Sequence, residues 1–254
     1  MVTDKGKGAS AKKQAVSPRR RGRPVGRTDR GEATRESLFD AAIELMNEQG
    51  FEATTLRQIA ARAGVTHAVV YRYFPSKRAV VMALYARLSV TFAEEVALPA
   101  GPWRTRALAA TEGSLDALRA HRPALRSALG VLVSPSDEGL FAPATRASRL
   151  RVQGIFLRAV DGAKDPPRGE RAARLGRALD LLHLGIVLFW LLDASTDQKA
   201  TSALLKVFSK ALVLAQAALR LPGAWSLLGR LDAALQAGLM PAVPSPALRR
   251  HELR

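Results

Sequence analysis

Residues 54–77 read TTLRQIAARAGVTHAVVYRYFPSK. Leu56, Ile59, Ala60 and Ala63 recur at helical spacing behind Thr55, which is a good N-cap, so a short helix with one apolar face is predicted here. Gly64-Val65 breaks it, glycine being the residue that turns a chain most freely. Thr66 then caps a second short helix in which Val70 and Phe74 face inward. That setting turns His67, Ala68 and Tyr71 outward, with Arg72 beside them. Pro75 and the cap Ser76 start the next helix. Two short helices joined by a glycine turn are how a helix-turn-helix is written, and the second helix of that motif lies in the major groove of DNA.

Few side chains of so short a second helix can reach a duplex. Thr66 offers a hydroxyl and a main-chain amide to phosphate, helped by the helix dipole. His67 can donate or accept at a base edge, Ala68 can touch a thymine methyl, and Val69 can add apolar contact. Tyr71 and Tyr73 carry phenolic donors suited to phosphate. Lys77 sits in the first turn of a helix, where a cation is unfavourable with respect to the dipole, and a phosphate nearby would account for it. Arg57, early in the first helix of the pair, is placed to reach phosphate or base. Val69 and Tyr73 read equally as packing residues, and Arg72 as a solvated charge.

The run Phe51–Lys77, with Gly64, Thr66, Tyr71, Phe74 and Lys77 at these spacings, resembles the signature of the TetR-type (TetR/AcrR-like) bacterial transcriptional regulators. The resemblance covers about residues 32–92. It implies that Tyr71 and Lys77 contact the DNA backbone and that Thr66, His67 and Ala68, just after the turn, read bases. It also implies a homodimer and an all-helical C-terminal domain for ligand binding and dimerisation. In function it implies a one-component regulator, usually a repressor, holding a palindromic operator in double-stranded DNA until a small-molecule effector enters.

The rest of the pattern is helical as well. Thr34 is the expected N-cap of a first helix that carries Leu38, Ala41, Ala42 and Leu45 and stops at Gly50. The helix after Ser76 runs to about Ala97. Pro99, Gly101 and Pro102 then mark the boundary between a DNA-binding domain, 31–97 (motif 55–74), and a helical domain, 98–240. Further helices are expected at about 103–121, 123–133, 142–162, 168–194, 198–221 and 223–238, and 241–254 as a frayed tail. No alternating strand pattern appears, so the fold class is all-α. The helices at 168–194 and 198–221 carry more apolar residues than one core stripe needs, which marks them as the dimer interface in a four-helix arrangement.

Charge is distributed unevenly. The chain has 39 Lys/Arg and 22 Asp/Glu, a formal net charge of +17. Residues 1–30 hold ten Lys/Arg against two Asp, whereas 31–97 hold seven against eight acids. The first thirty residues, rich in Lys, Arg, Gly, Ser and Pro, are expected to be a disordered basic tail. Within it Arg21-Gly22-Arg23-Pro24 resembles an AT-hook core, in which Arg21 and Arg23 would enter a narrow minor groove. The same residues read as a basic arm supplying only phosphate attraction. An architectural DNA-binding protein that uses this tail without small-molecule control is the alternative function.

Other chemistry is thin. With no cysteine, disulfides and thiolate metal sites are excluded. The four histidines are scattered without metal-ligand spacing. No nucleophile elbow, phosphate-binding loop or dinucleotide fingerprint is present, so neither an enzyme nor a cofactor is expected. The basic N-terminus lacks an apolar run behind it, and the run 181–192 is too short to span a bilayer, so a cytoplasmic location away from membranes is expected. His183 and Trp190, seven residues apart on one helix, are candidate pocket residues with Trp103, Phe156 and Phe189.

Overall fold

The computed structural model describes residues 29–135 and 139–239. The tail with Arg21 and Arg23, and the segment 241–254, lie outside the described residues. All regular structure in the described residues is helical. The elements are α1 (Asp29–Ala53), α2 (Leu56–Arg62), α3 (His67–Tyr73), α4 (Lys77–Glu95), α5 (Trp103–Leu118), α6 (Arg122–Ser127), α7 (Leu129–Leu132), α8 (Arg146–Asp161), α9 (Glu170–Leu192), α10 (Lys199–Ala218) and α11 (Ala224–Leu239).

The first four helices close around Leu38, Ala42, Met46, Ile59, Val70, Phe74, Val80 and Leu84, all buried. Thr55 caps α2 in a reciprocal box: its hydroxyl accepts from the Gln58 N–H (3.2 Å), while Gln58 Oε1 accepts from the Thr55 N–H (2.8 Å). Gly64, at φ +66°, makes the turn into α3, a conformation glycine adopts without strain. Ser76 caps α4 by accepting from the Ala79 N–H at 3.0 Å. Arg62 ties α2 to α1 through Glu48 (2.8 Å) and Glu44 (3.3 Å).

Several elements differ from the sequence expectation. Thr34 does not cap α1, which is already helical at Asp29; its hydroxyl instead donates to the Arg30 carbonyl at 2.8 Å. No proline stands in 29–33 and Gly31 stays helical there, and a threonine inside a helix satisfies itself on the preceding turn. Thr66 stands at the N-cap of α3 without making a side-chain cap bond. The single helix expected at 123–133 is divided into α6 and α7, parting at Ala128 (φ −93°, ψ 10°).

α4 carries the core from this head into the body, packing on α5 and α8, and α8 lies along α9. The body core is built on Trp103, Ile155, Phe156, Leu179, Ile186 and Trp190. The helix that carries the run 181–192 is 23 residues long. It and the stretch Thr196–Ala218 reach the length and apolarity of a membrane-spanning segment. Along α9, however, Asp180 and His183 belong to the buried face. Asp193 ends α9 and starts the next turn: its carboxylate accepts from the N–H and hydroxyl of Ser195 (2.8 and 2.7 Å) and of Thr201 (2.9 and 2.6 Å).

Candidate nucleic-acid interface and body cavity

α3 is held by Val70, fully buried, and Phe74, which end up on the core side as the helical period requires. The opposite face is exposed: Thr66, His67, Ala68, Tyr71 and Arg72, with Arg57 of α2 nearby in sequence and also exposed. His67 and Tyr71, one turn apart, meet edge to face at 4.8 Å between ring centroids. Val69 and Tyr73 are half-buried and pack against the core. The guanidinium of Arg72 lies 6.0 Å from the Tyr73 ring.

Lys77 is engaged within the protein. Its Nζ donates to the carbonyls of Phe51 (2.8 Å) and Glu52 (3.1 Å) and lies 4.5 Å from the Phe51 ring centroid. The dipole argument for a cation at this position is therefore met from inside: carbonyls at the end of α1 supply the negative partner. Nothing in the local sequence signals that contact, because the partners are 25 and 26 residues away.

The body holds a cavity of about 430 Å³ between α4, α5, α8 and α9, with α6 and α7 closing one side. Its wall is largely apolar, and no Lys, Arg, Asp or Glu is among its described lining residues. Of the five aromatic and histidine candidates, His183 lines it. Trp103, Phe156 and Trp190 do not. They are buried in the surrounding core, and Phe156 backs the His183 ring at 4.8 Å. Phe189 is absent from the wall and faces solvent instead. Residues 183 and 190 do fall on one buried face of α9, but a face shared with the core is broader than the opening of a cavity.

The pairing of His183 with a serine on another helix was not visible in the sequence. His183 Nε2 and Ser114 Oγ, 69 residues apart in the chain, are 2.7 Å apart. Burial pushes the imidazole down to about 4, with the Asp180 carbonyl partly opposing the shift. Behind the wall Asp180 is pushed up to about 7 by burial, a hydrogen bond from Gln153 and the charge of Arg149 limiting the rise.

Besides α4, the first helices meet the rest of the fold at α6. The Ala124 N–H donates to Asn47 Oδ1 of α1 (3.0 Å), and the Phe51 N–H of α1 donates to Ser127 Oγ (2.9 Å). Arg122 donates to the carbonyls of Trp190 (2.8 Å) and Asp193 (2.6 Å) at the end of α9. Leu125 and Leu129, from α6 and α7, line the cavity.

A short helix, a glycine turn and a second short helix with one exposed face make a helix-turn-helix unit. Residues 38–84 match the family model described as bacterial regulatory proteins, tetR family. Over these residues the chain is similar to the N-terminal DNA-binding domain of that family. It is 41% identical over 63 residues to an uncharacterized HTH-type transcriptional regulator, YdeS, of Bacillus subtilis (strain 168), a match covering 25% of this chain and 29% of that protein. It is 27% identical over 169 residues to the HTH-type transcriptional regulator BetI of Cronobacter sakazakii, covering 65% and 81% of the two chains. Against a tetR-family regulator from Streptomyces coelicolor the fold superposes with a TM-score of 0.55 at 22% identity, over 80% of this chain and 89% of that one. Thermus thermophilus FadR in complex with lauroyl-CoA gives a TM-score of 0.52 at 23% identity, over 70% and 93%.

Proposed function

We propose that the protein is a ligand-responsive repressor that holds a palindromic operator as a homodimer. The observation that carries this reading is α3 itself: a polar and aromatic face left exposed on a helix whose other face is buried to completion at Val70. In this reading His67 and Ala68 read base edges, Thr66, Tyr71 and Arg57 position the helix on phosphates, and Arg72 adds charge. Val69 and Tyr73 contribute chiefly by packing. Lys77 braces the end of α1 while remaining beside the backbone path. The head comprises residues 31–97 and the body 98–240.

Dimerisation is assigned to α9 and α10. Val207, Val213 and Leu214 of α10 are 61%, 53% and 71% exposed, and Leu182 and Leu192 of α9 are exposed as well. Apolar side chains left in water on two neighbouring helices fit burial against a second copy. The body cavity serves as the effector site, as the acyl-CoA complex of FadR suggests by likeness of fold. An effector acts by favouring the geometry that does not fit DNA, and only its differential affinity for the two geometries does work.

Selection of binding sites from random duplexes, followed by footprinting, tests the reading. The expected result is a near-palindrome with half-site centres about one or two helical turns apart (~34–36 Å per turn). His67→Ala should change preference at one base pair per half-site by about 1–3 kcal/mol, whereas Tyr71→Phe should weaken all sequences alike. Binding without any preferred palindrome would favour the architectural alternative. The ten cations in residues 1–30 are assigned to phosphate attraction. Their deletion should flatten the salt dependence by roughly 0.9 in log–log slope for each phosphate no longer neutralised. If Arg21 and Arg23 enter the minor groove, it should also remove a preference for flanking A·T pairs.

A further inference from the structure

Among the described residues the cavity wall presents no formal charge, and its polar side chains are Tyr85, Ser89, Ser114 and His183. Ser89 donates to the Ala86 carbonyl (2.7 Å) and accepts from Arg151 (2.8 Å). Behind the wall Asp180 and Arg149 offset one another, each acting on the other's ionisation. An ion entering this space would lose its hydration without gaining a partner, which costs several kcal/mol even after relaxation. The cavity therefore selects uncharged molecules.

Besides the Tyr85 hydroxyl, the polar feature left to a ligand is the Ser114–His183 couple. His183 Nδ1 is buried and has no hydrogen-bond partner among the described residues. Asp180 faces the ring with its main-chain carbonyl and with its carboxyl, whose Oδ1 lies at 3.9 Å, too long for a hydrogen bond but on the side of an acceptor. An acceptor opposite Nδ1 fixes the ring proton there, which leaves Nε2 as the acceptor of the neutral ring. Nε2 then accepts the hydrogen bond of the Ser114 hydroxyl across 2.7 Å. By contrast Thr111, one turn earlier, returns its proton to its own helix at the Ala107 carbonyl (2.9 Å). With its proton spent on His183, the Ser114 oxygen keeps only lone pairs for the cavity. The trio has the order of a hydrolytic relay, but α5 and α9 are regular helices here. Their amides are consumed by helical bonds, so none is free to bind an oxyanion.

We propose that the cavity takes an uncharged, largely apolar molecule with one hydrogen-bond donor, an aliphatic alcohol being the simplest case, and that the Ser114–His183 couple reads that donor. The inference rests on reading the cavity as the effector site, and it adds the chemistry of the effector. Medium-chain length suits a pocket of this volume, which lies in the range that holds drug-sized molecules.

The test uses the full chain and four probes of equal chain length: decanol, decanone, decanoate and decyltrimethylammonium. Affinity is measured by displacement of a neutral fluorescent apolar dye, and the effect on DNA by anisotropy with a selected duplex. Decanol should bind about tenfold tighter than decanone, the factor one hydrogen bond supplies, and both should exceed the two ions by more than that. Ser114→Ala should bring decanol down to decanone while leaving decanone unchanged, and Ser114→Thr should restore the difference. Gly185 lines the cavity, and a Cβ built on it meets nothing within 4 Å. Gly185→Leu should therefore block every probe without disturbing the fold.

Decanoate or the ammonium binding as tightly as decanol would overturn the charge class. Decanone equal to decanol, or Ser114→Ala weakening all probes alike, would overturn the donor reading. Decanol binding in the cavity without loosening DNA would leave the ligand class standing and remove the effector reading. No binding by any probe would remove both.

Discussion

Lys77 shows how far a residue can be read from its neighbours alone. Its position in the first turn of a helix called for a negative partner, and the nearest candidate by resemblance was phosphate. The partners found are the Phe51 and Glu52 carbonyls, which only the folded chain brings near. Lys77→Ala should therefore lower stability by about 1–3 kcal/mol, the range for hydrogen bonds to a charged group and the exposure of their acceptors. Urea unfolding monitored by circular dichroism checks this, and DNA affinity measured well below the transition separates bracing from phosphate contact. The inward setting of Val70 and Phe74 was legible because it follows from helical period. Ser114 facing His183 was not, because no periodicity links residues on different helices. Asp180 offers a second test at this scale. Its carboxyl is pushed up to about 7 by burial, whereas the unfolded chain ionises near pH 4. The unfolded state thus loses its proton first, and stability falls as pH rises from about 4 to about 7. Asp180→Asn should remove this loss, giving a more stable protein at pH 8 and little change at pH 4, as denaturant midpoints at the two values would register.

Among elements, helices bounded by proline, glycine or caps were placed well from sequence: α2, α4, α5, α8 and α10 lie close to where breakers and caps put them. The region after Pro123 was not, since α6 and α7 are too short for a period to reveal a break. Ser127 helps to explain the break: its hydroxyl donates to the Ala124 carbonyl and receives the Phe51 N–H, so it serves tertiary contact at the end of α6. α11 has no buried residue, yet it is fastened to α9 by a two-pronged ion pair, Arg177 to Asp232 at 2.7 and 2.6 Å. The hydrogen bonds from Arg177 hold the Asp232 carboxyl below its ordinary range. Its contribution is complete above about pH 4, where the unfolded carboxyl is ionised, and is lost as pH falls through the lower folded value. Trp225, on α11 with Arg171 over its ring at 5.3 Å, reports docking. Its fluorescence should shift to the red and become quenchable by iodide in acid, and Asp232→Asn should produce the same change at neutral pH.

For the whole molecule, the exposed apolar residues of α10 make the clearest claim. Leu214→Glu places a charge where a second copy would be buried, and the penalty for an unpaired buried charge is several kcal/mol per site. Sedimentation should find the variant monomeric, and its affinity for a palindromic duplex should fall at least tenfold while circular dichroism is unchanged. A variant that stays dimeric would move the interface to the exposed face of α11, at Leu227 and Leu231. All-α architecture was plain from the lack of strand alternation, but the cavity was not, because empty space is set by how several helices splay and no single segment encodes it.

The junction of α1 with α6 has a kinetic consequence. Two amides, those of Phe51 and Ala124, are each held by a side chain of the opposite element, so the reading head is bolted to α6 from both sides. Deuterium uptake at these two positions acts as a clock on that joint. If the head and α6 travel as one piece, uptake there should stay slow with or without decanol in the cavity, as mass spectrometry of the peptides spanning 47–54 and 122–129 would show. Any acceleration caused by the ligand should then fall elsewhere, in the segments where α4 leaves the head.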